Sequence, residues 1–467
     1  MSADAAAATV PVRRLGPAVQ YALLAGPLLS MLDSSIVNVA VAPIARQLHA
    51  SLPVAAWAVS GYLLALGTGL AATAYLARRF GTLPLYRASV LGFTLASAAC
   101  AAAPDVQVLL ICRVVQGLAG APLVPMAMSM LFGKSQATRS MPATAGMLLF
   151  LGPALGPSIG GALIGAVGWR SIFLINVPTG AAAVVAIRRI PAEMAAGPAP
   201  GARLDRPGLL LLGAGLAAAL FGIGQGGTAG WAAPATWVPL AAGVALLAGY
   251  AARSAGADQP VLNLALARNG AAALVLTLCA LASVVTFAAV FLLPVFIQEV
   301  QGHTALAAGL AMLPQGLITG LSTTLGQRVL RLVTVRSTVL AGFAVLTAAS
   351  IGLLAIGATT PLYLTSLLLA ARAASIGLVI TPLLAVFTDP LRQSELSDAT
   401  TLFSIWQRIA GSLGIGLIAA VFAQQTTARG PVAALHVTAV LITAIAAAGL
   451  LGAPLLPAVR NVAAYGT

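Results

Sequence analysis

The feature that most constrains this chain is the recurrence of apolar runs about 20 residues long, the length a helix needs to cross the hydrocarbon core of a bilayer. Read between polar or Pro/Gly breaks, there are fourteen such runs. Their centres fall near Ser30, Ala65, Thr94, Leu118, Pro153, Ile175, Leu216, Val244, Val284, Leu317, Leu346, Leu369, Ser412 and Ile445. Only 7% of the 467 residues are charged, against about 25% in an ordinary soluble protein. So little polar surface cannot face water, and the backbone must satisfy its own hydrogen bonds inside helices surrounded by lipid. The expected fold class is an all-α membrane protein with 14 transmembrane helices. Arg13 and Arg14 ahead of an apolar run imitate a secretion signal. That run, Pro17 to Pro43, is too long for a typical signal core and carries Asp33 and Asn38, so it reads as the first membrane helix.

The 24 basic residues test this count. An even number of crossings puts both termini on one side. With the N-terminus in the cytoplasm, the outer loops hold only Arg46, Arg170 and Arg429, and Arg113, Arg372 and Arg408 fall within helices. The remaining basic residues all lie in cytoplasmic segments, the positive-inside asymmetry of membrane proteins. The expected location is a bacterial inner membrane, multi-pass, with both termini cytoplasmic. The formal charge of +14 is then a matter of topology. The basic residues come in ones, twos and threes, without the aromatic-interleaved stripe of a nucleic-acid surface. A Pro-, Ala- and Gly-rich stretch between Arg188 and Arg206 and a second polar stretch from Arg253 to Asn269 mark linkers. The predicted division is an N-terminal six-helix bundle over 1–187, a linker over 188–206, two inserted helices over 207–253, a linker over 254–270, and a C-terminal six-helix bundle over 271–467. Two six-helix bundles around a midplane site are a recurring transporter plan. Cys100, Cys112 and Cys279 are far apart, and His49, His303 and His436 form no cluster, so no disulfide framework or metal site is expected.

Asp33 is the one acidic residue well inside a predicted crossing. An enclosed carboxyl is costly unless it is neutralised or paired, so it faces the helix bundle rather than lipid. Loss of water favours its neutral form and a nearby cation its charged form. A group balanced between the two can take up and release a proton, while the competing reading is a structural Asp bonded to Ser30 or Ser34. In the fourth crossing Arg113, Gln116, Gly117 and Gly120 share one helical face. Arg113 is either an electrostatic partner of Asp33 or a structural Arg bonded to carbonyls. The fifth crossing reads GPALGPSIGG. Gly152, Gly156 and Gly160, with Gly161, form a small-residue stripe that permits close backbone approach, and Pro153 and Pro157 remove backbone donors and bend the helix. Ser404, Gln407, Gly411 and Gly414 share a face of the thirteenth crossing, flanked by Trp406 and Arg408, and either line a cavity or pack on a neighbour. Asn38, Trp57, Tyr62, Gln116, Gln298, Gln315, Trp406 and Gln407 are the cavity candidates.

These segments together resemble the fourteen-helix drug:proton antiporter branch (EmrB/QacA type) of the major facilitator superfamily. The resemblance rests on LDSSIVNVAVAPI (Leu32 to Ile44), WAVSGYLLA (Trp57 to Ala65), RVVQGLAGA (Arg113 to Ala121), GPALGPSIGG and WRSIFLINVPTG (Trp169 to Gly180). It continues through QEVQGHTALAAGLAMLP (Gln298 to Pro314) and SDATTLFSIWQRIAGSLGIG (Ser397 to Gly416), covering nearly the whole chain. It implies a proton-coupled antiporter that exports lipophilic drugs, antibiotics or hydrophobic metabolites by alternating access. Asp33 and Arg113 would serve proton coupling, and the fifth-helix glycines and prolines gating. It implies no cofactor beyond a proton gradient, a small lipophilic substrate and protons as partners in membrane lipid, and function as a monomer. The loop between the second and third helices departs from the pattern: AYLARRFGTLPLY carries Arg78 where such transporters have Asp, and Thr82 and Leu83 in place of a basic pair. This suggests a shifted gating equilibrium or a latch rebuilt from other residues. A uniporter or importer of a small metabolite and a non-transporting sensor are the alternatives. No intramembrane catalytic cluster argues for an enzyme, and no GxxxxGK[ST] loop for ATP drive.

Overall fold

The structure is a computed structural model that describes residues 16–132, 143–191, 194–199, 204–257, 260–329, 332–392 and 395–457. Among the described residues sixteen α-helices run in chain order. The first group is α1 (Pro17–Gln47), α2 (Leu52–Phe80), α3 (Thr82–Ala102), α4 (Val106–Gly120), α5 (Leu123–Phe132), α6 (Ala143–Val167), α7 (Ser171–Leu174) and α8 (Asn176–Ile187). A pair follows, α9 (Arg206–Thr228) and α10 (Pro234–Ser254). The last group is α11 (Gly270–Glu299), α12 (Ala305–Val329), α13 (Val335–Gly352), α14 (Leu362–Thr388), α15 (Leu396–Arg429) and α16 (Pro431–Gly452).

Among the described residues 12 helical spans are long and apolar enough to cross a membrane, with α4 and α5 counted together as Val106–Leu131. The expected count of fourteen exceeds this by the fifth and sixth predicted crossings. The fifth falls on α6, whose side chains are described only from Ala154 onward. The sixth falls on α7 and α8, which break at Ile175. Pro178 explains the break: it has no N–H for the carbonyl of Leu174, four residues earlier.

Helices α1 to α8 pack on one another, as do α11 to α16, and the two groups meet where α6 lies on α12, α2 on α15, and α1 on α11. The α6–α12 contact is backbone against backbone. Gly161 abuts the carbonyl of Ala305, Gly309 that of Pro157, and Gly316 the Cα of Ala154, and Ser158 Oγ donates to the Gly309 carbonyl at 2.9 Å. Gly156 and Gly160 turn the other way, onto Ser35 and Ile36 of α1. Gly152 and Pro153 have side-chain positions outside the described residues. The pair α9 and α10 packs face to face, and α9 also lies against both α2 and α15. Trp237, Val238 and Val244 on the outer face of α10 stay exposed, as expected of side chains that meet lipid.

Prolines inside α1 free carbonyls, and distant side chains take them up. Pro27 frees Leu23, whose carbonyl accepts from Tyr86 Oη of α3 at 3.0 Å. Pro43 frees Val39, whose carbonyl accepts from Gln298 Nε2 of α11 at 3.0 Å. Arg46 and Glu299 form an ion pair at the same seam. In the linker, Thr82 N donates to the Ala196 carbonyl at 2.9 Å and Ala199 N donates to the Arg78 carbonyl at 2.7 Å, so the chain after α8 is bonded to the α2–α3 turn.

A buried ion pair shared by α1, α4 and α8

Arg113 and Gln116 lie one helical turn apart on α4 and so point the same way. Gly117 beside them lets α4 come close to α2: a Cβ there would sit 2.6 Å from the carbonyl oxygen of Tyr62. That approach brings Arg113 Nε within 2.7 Å of the Ala58 carbonyl. The guanidinium carbon then lies over the Tyr62 ring, 4.1 Å from its centroid, and 5.5 Å from that of Phe173. Both are cation–π distances. Asp105, at the N-cap, accepts from Val108 N and fixes where α4 begins.

Asp33, in the middle of α1, meets this face and is 0% exposed. Arg113 Nη1 donates to Asp33 Oδ2 at 2.5 Å and to Gln116 Oε1 at 2.6 Å. Gln116 Nε2 and Asn176 Nδ2 each donate to Asp33 Oδ1 at 3.1 Å. Ser97 of α3 joins the two amides: its Oγ accepts from Gln116 Nε2 at 3.2 Å and from Asn176 Nδ2 at 3.0 Å, and donates to the Phe173 carbonyl at 3.0 Å. The result is a neutral pair with its charges clamped. A carboxylate offers about four acceptor positions, and three are taken. Arg113 Nη2 and Asn176 Oδ1 are buried without a partner, so the cluster keeps some unused hydrogen-bonding capacity. Neither Ser30 nor Ser34 bonds Asp33: Ser30 Oγ lies 3.2 Å from Tyr62 Oη, and Ser34 Oγ donates to the Met31 carbonyl.

Asn176 and Ser97 are the members to which the sequence reading assigns no role. Asn176 carries a signal, an amide inside an apolar stretch, whereas Ser97 looks like any other serine in a membrane helix. The remaining candidates lie elsewhere. Asn38 is buried and donates back to the Ser34 and Ser35 carbonyls of its own helix. Trp57 is half-buried near Gly224 of α9. Gln298 spans the α1–α11 seam. Trp406 is partly exposed and donates to the Leu276 carbonyl of α11 at 2.9 Å. Gln407 is half-buried on the same helix. Gly411 and Gly414 pack on Phe287 and Val284 of α11, so this part of the shared face of α15 is a helix contact. Gln315 lines a cleft in the last helix group with Arg372 of α14. Among the described residues no group of His, Cys, Asp and Glu is arranged to hold a metal.

A buried charge pair enclosed by apolar helices, in two groups that meet along glycine seams, belongs to a multi-pass membrane protein. The chain belongs to the Major Facilitator Superfamily, whose profile matches residues 23–415. It is similar to the multidrug resistance protein B homolog of Mycobacterium tuberculosis (strain ATCC 25618 / H37Rv), at 34% identity over 402 residues covering 84% of this chain and 74% of that one. It is also similar to the methylenomycin A resistance protein of Bacillus subtilis (strain 168), at 34% identity over 64% of each chain. The multidrug export protein EmrB of Escherichia coli (strain K12) is 30% identical over 64% of this chain and 58% of its own. Among solved structures, the POT-family transporter PepTSo superposes with a TM-score of 0.67 at 15% identity, covering 95% of this chain and 97% of that one. A D-xylose-proton symporter gives a TM-score of 0.63 at 15% identity, with 94% and 98% covered. At such identities these two structures bear on the fold alone.

Proposed function

We propose that this chain exports lipophilic drugs, antibiotics or hydrophobic metabolites in exchange for protons, with Asp33 as the proton-carrying group. The observation that carries the reading is the Asp33–Arg113 pair, fully enclosed and held by residues of separate helices. In the state described, Asp33 is paired with Arg113. Uptake of a proton removes its charge and weakens its hold on Arg113, so α1 and α4 are freed to shift relative to each other. The unpartnered Arg113 Nη2 and Asn176 Oδ1 are polar atoms free to take new partners once the pair loosens. The names of the relatives, multidrug and antibiotic resistance or export proteins, support export as the direction.

The finer architecture belongs to the same proposal. Fourteen crossings result if α6, 25 residues long, and the broken α7–α8 each cross once. The division into six, two and six helices follows, with α9 and α10 inserted at the α2–α15 seam. The charge asymmetry supports a bacterial inner membrane with both termini cytoplasmic, and the protein would work as a monomer.

Three donors on one carboxylate also favour a second reading, in which the pair is a permanent brace and the chain is a uniporter. Proteoliposomes with an imposed pH gradient separate the two. Under the antiport reading Asp33→Asn inserts normally but loses gradient-driven efflux of a lipophilic dye. Gradient-driven efflux at the wild-type rate in that variant would remove the assignment.

A further inference from the structure

The last helix group holds two arginines inside its helices, Arg372 on α14 and Arg408 on α15. The ion pairs among the described residues join Arg46 to Glu299, Arg113 to Asp33 and Arg253 to Asp205. Neither Arg372 nor Arg408 is in one. The described acids of this group, Glu299, Asp389, Glu395 and Asp398, all stand at helix ends. Arg372 is the more confined, at 4% exposure. Its Nη2 donates to the Val285 carbonyl at 2.6 Å, while its Nη1 is buried with no partner. Burying a guanidinium without a counter-charge is costly, and such groups inside membrane proteins mark substrate or ion pathways.

Arg372 borders a narrow, partly open cleft that it shares with Thr286 of α11 and Gln315 of α12. Ala289, Val290 and Ile376 supply apolar walls. Sites for whole drug-sized ligands run to roughly 300–1,000 Å³; this cleft is far smaller and admits only the tip of a polar group. Its polar groups are the one guanidinium nitrogen that Val285 leaves free, an amide and a hydroxyl, a set that can bond a carboxylate oxygen with charge assistance. We infer that Arg372, Gln315 and Thr286 form a subsite for the carboxylate of a lipophilic organic acid. The Asp33–Arg113 pair is internally neutral, so the anion meets an unbalanced positive charge at Arg372. As a statement about cargo this rests on the export reading, but binding to the subsite does not.

The test compares anthracene-9-carboxylate with anthracene-9-carboxamide, which share a ring system and differ in charge. Binding of each is measured by fluorescence anisotropy on the full-length protein in detergent. Wild type should bind the carboxylate about tenfold or more tightly than the amide, as a charge-assisted contact predicts. Arg372→Gln should erase that preference, weakening carboxylate binding far more than amide binding. Arg372→Lys should keep part of it, and Gln315→Glu, by placing an acid beside the arginine, should reverse it. If Arg372→Gln fails to fold, Gln315→Glu decides. Equal binding of the two probes to wild type would overturn the inference. So would a preference that survives both Arg372→Gln and Gln315→Glu. Flux in proteoliposomes separates this from the export reading. Selective carboxylate binding without gradient-driven flux of either probe refutes export and leaves the subsite standing. Gradient-driven amide flux without carboxylate selectivity does the reverse.

Discussion

Replacing Asp33 by Asn tests whether the buried pair stabilises the fold, apart from its proposed part in transport. The substitution keeps the side chain's shape and removes its charge. Oδ1 can still accept from Gln116 and Asn176, but an amide N–H₂ then stands where Oδ2 accepted from Arg113 Nη1 at 2.5 Å, donor against donor. Flipping the amide restores the arginine contact only by setting N–H₂ against the other two donors. Arg113 is left as an uncompensated cation among apolar helices, and breaking a buried pair from one side costs about 3–5 kcal/mol. Removing both charges, as in Asp33→Asn with Arg113→Gln, takes away the cation as well and should recover most of that loss. The free, buried thiols of Cys100 and Cys279 offer a readout, because a thiol-reactive fluorophore labels them only on unfolding. In a thermal ramp in detergent, the single variant should label several degrees below wild type and the double variant close to it, with neither transporting against a gradient. A single variant as stable as wild type would refute the electrostatic account, and so would a double variant as unstable as the single.

Two further outcomes follow from the seams between the helix groups. Gly309→Ala drives a methyl group into the Pro157 carbonyl, so α6 and α12 must separate, an overpacking cost of about 1–3 kcal/mol. Efflux in proteoliposomes should fall well below wild type, whereas Gly165→Ala, which meets nothing within 4 Å on the same helix as Pro157, should leave it unchanged. Gln298→Leu strands the carbonyl that Pro43 frees on α1, at about 1–3 kcal/mol. Disulfide trapping between cysteines introduced at Arg46 and Glu299 should become slower in that variant.

Much of this molecule was legible in its sequence because a membrane leaves few options. Apolar runs spaced by polar breaks give the helices, and the motifs along them give the superfamily. Asp33 stands out because a charge in such a run needs a reason, and the spacing of Arg113 and Gln116 places both on one face. Helical periodicity shows which residues share a face but not which neighbour that face meets. That is why the glycines of α15 could be read as cavity lining when they pack on α11. Gln298 is similar: the carbonyl freed by Pro43 is visible in the sequence, but the helix that supplies its donor lies more than 250 residues away. Asn176 offered a signal in its amide, and Ser97 none, since membrane helices commonly use serine to bond their own carbonyls. The number of crossings is least legible where proline interrupts α7 and α8, because length and hydropathy no longer coincide there.

The bonds between Ala196, Ala199 and the turn after α2 bear on the charges that turn has lost. Main-chain amides and carbonyls are supplied by every residue except at the proline nitrogen, so this splint does not depend on which side chains the turn carries. Arg78 can therefore stand in an acidic position, and Thr82 and Leu83 in basic ones, while the turn stays tethered. What such a tether does depend on is the length of the segment and the freedom of its backbone. Insertions and deletions between α8 and α9 should then matter to this protein more than exchanges of charge within the turn.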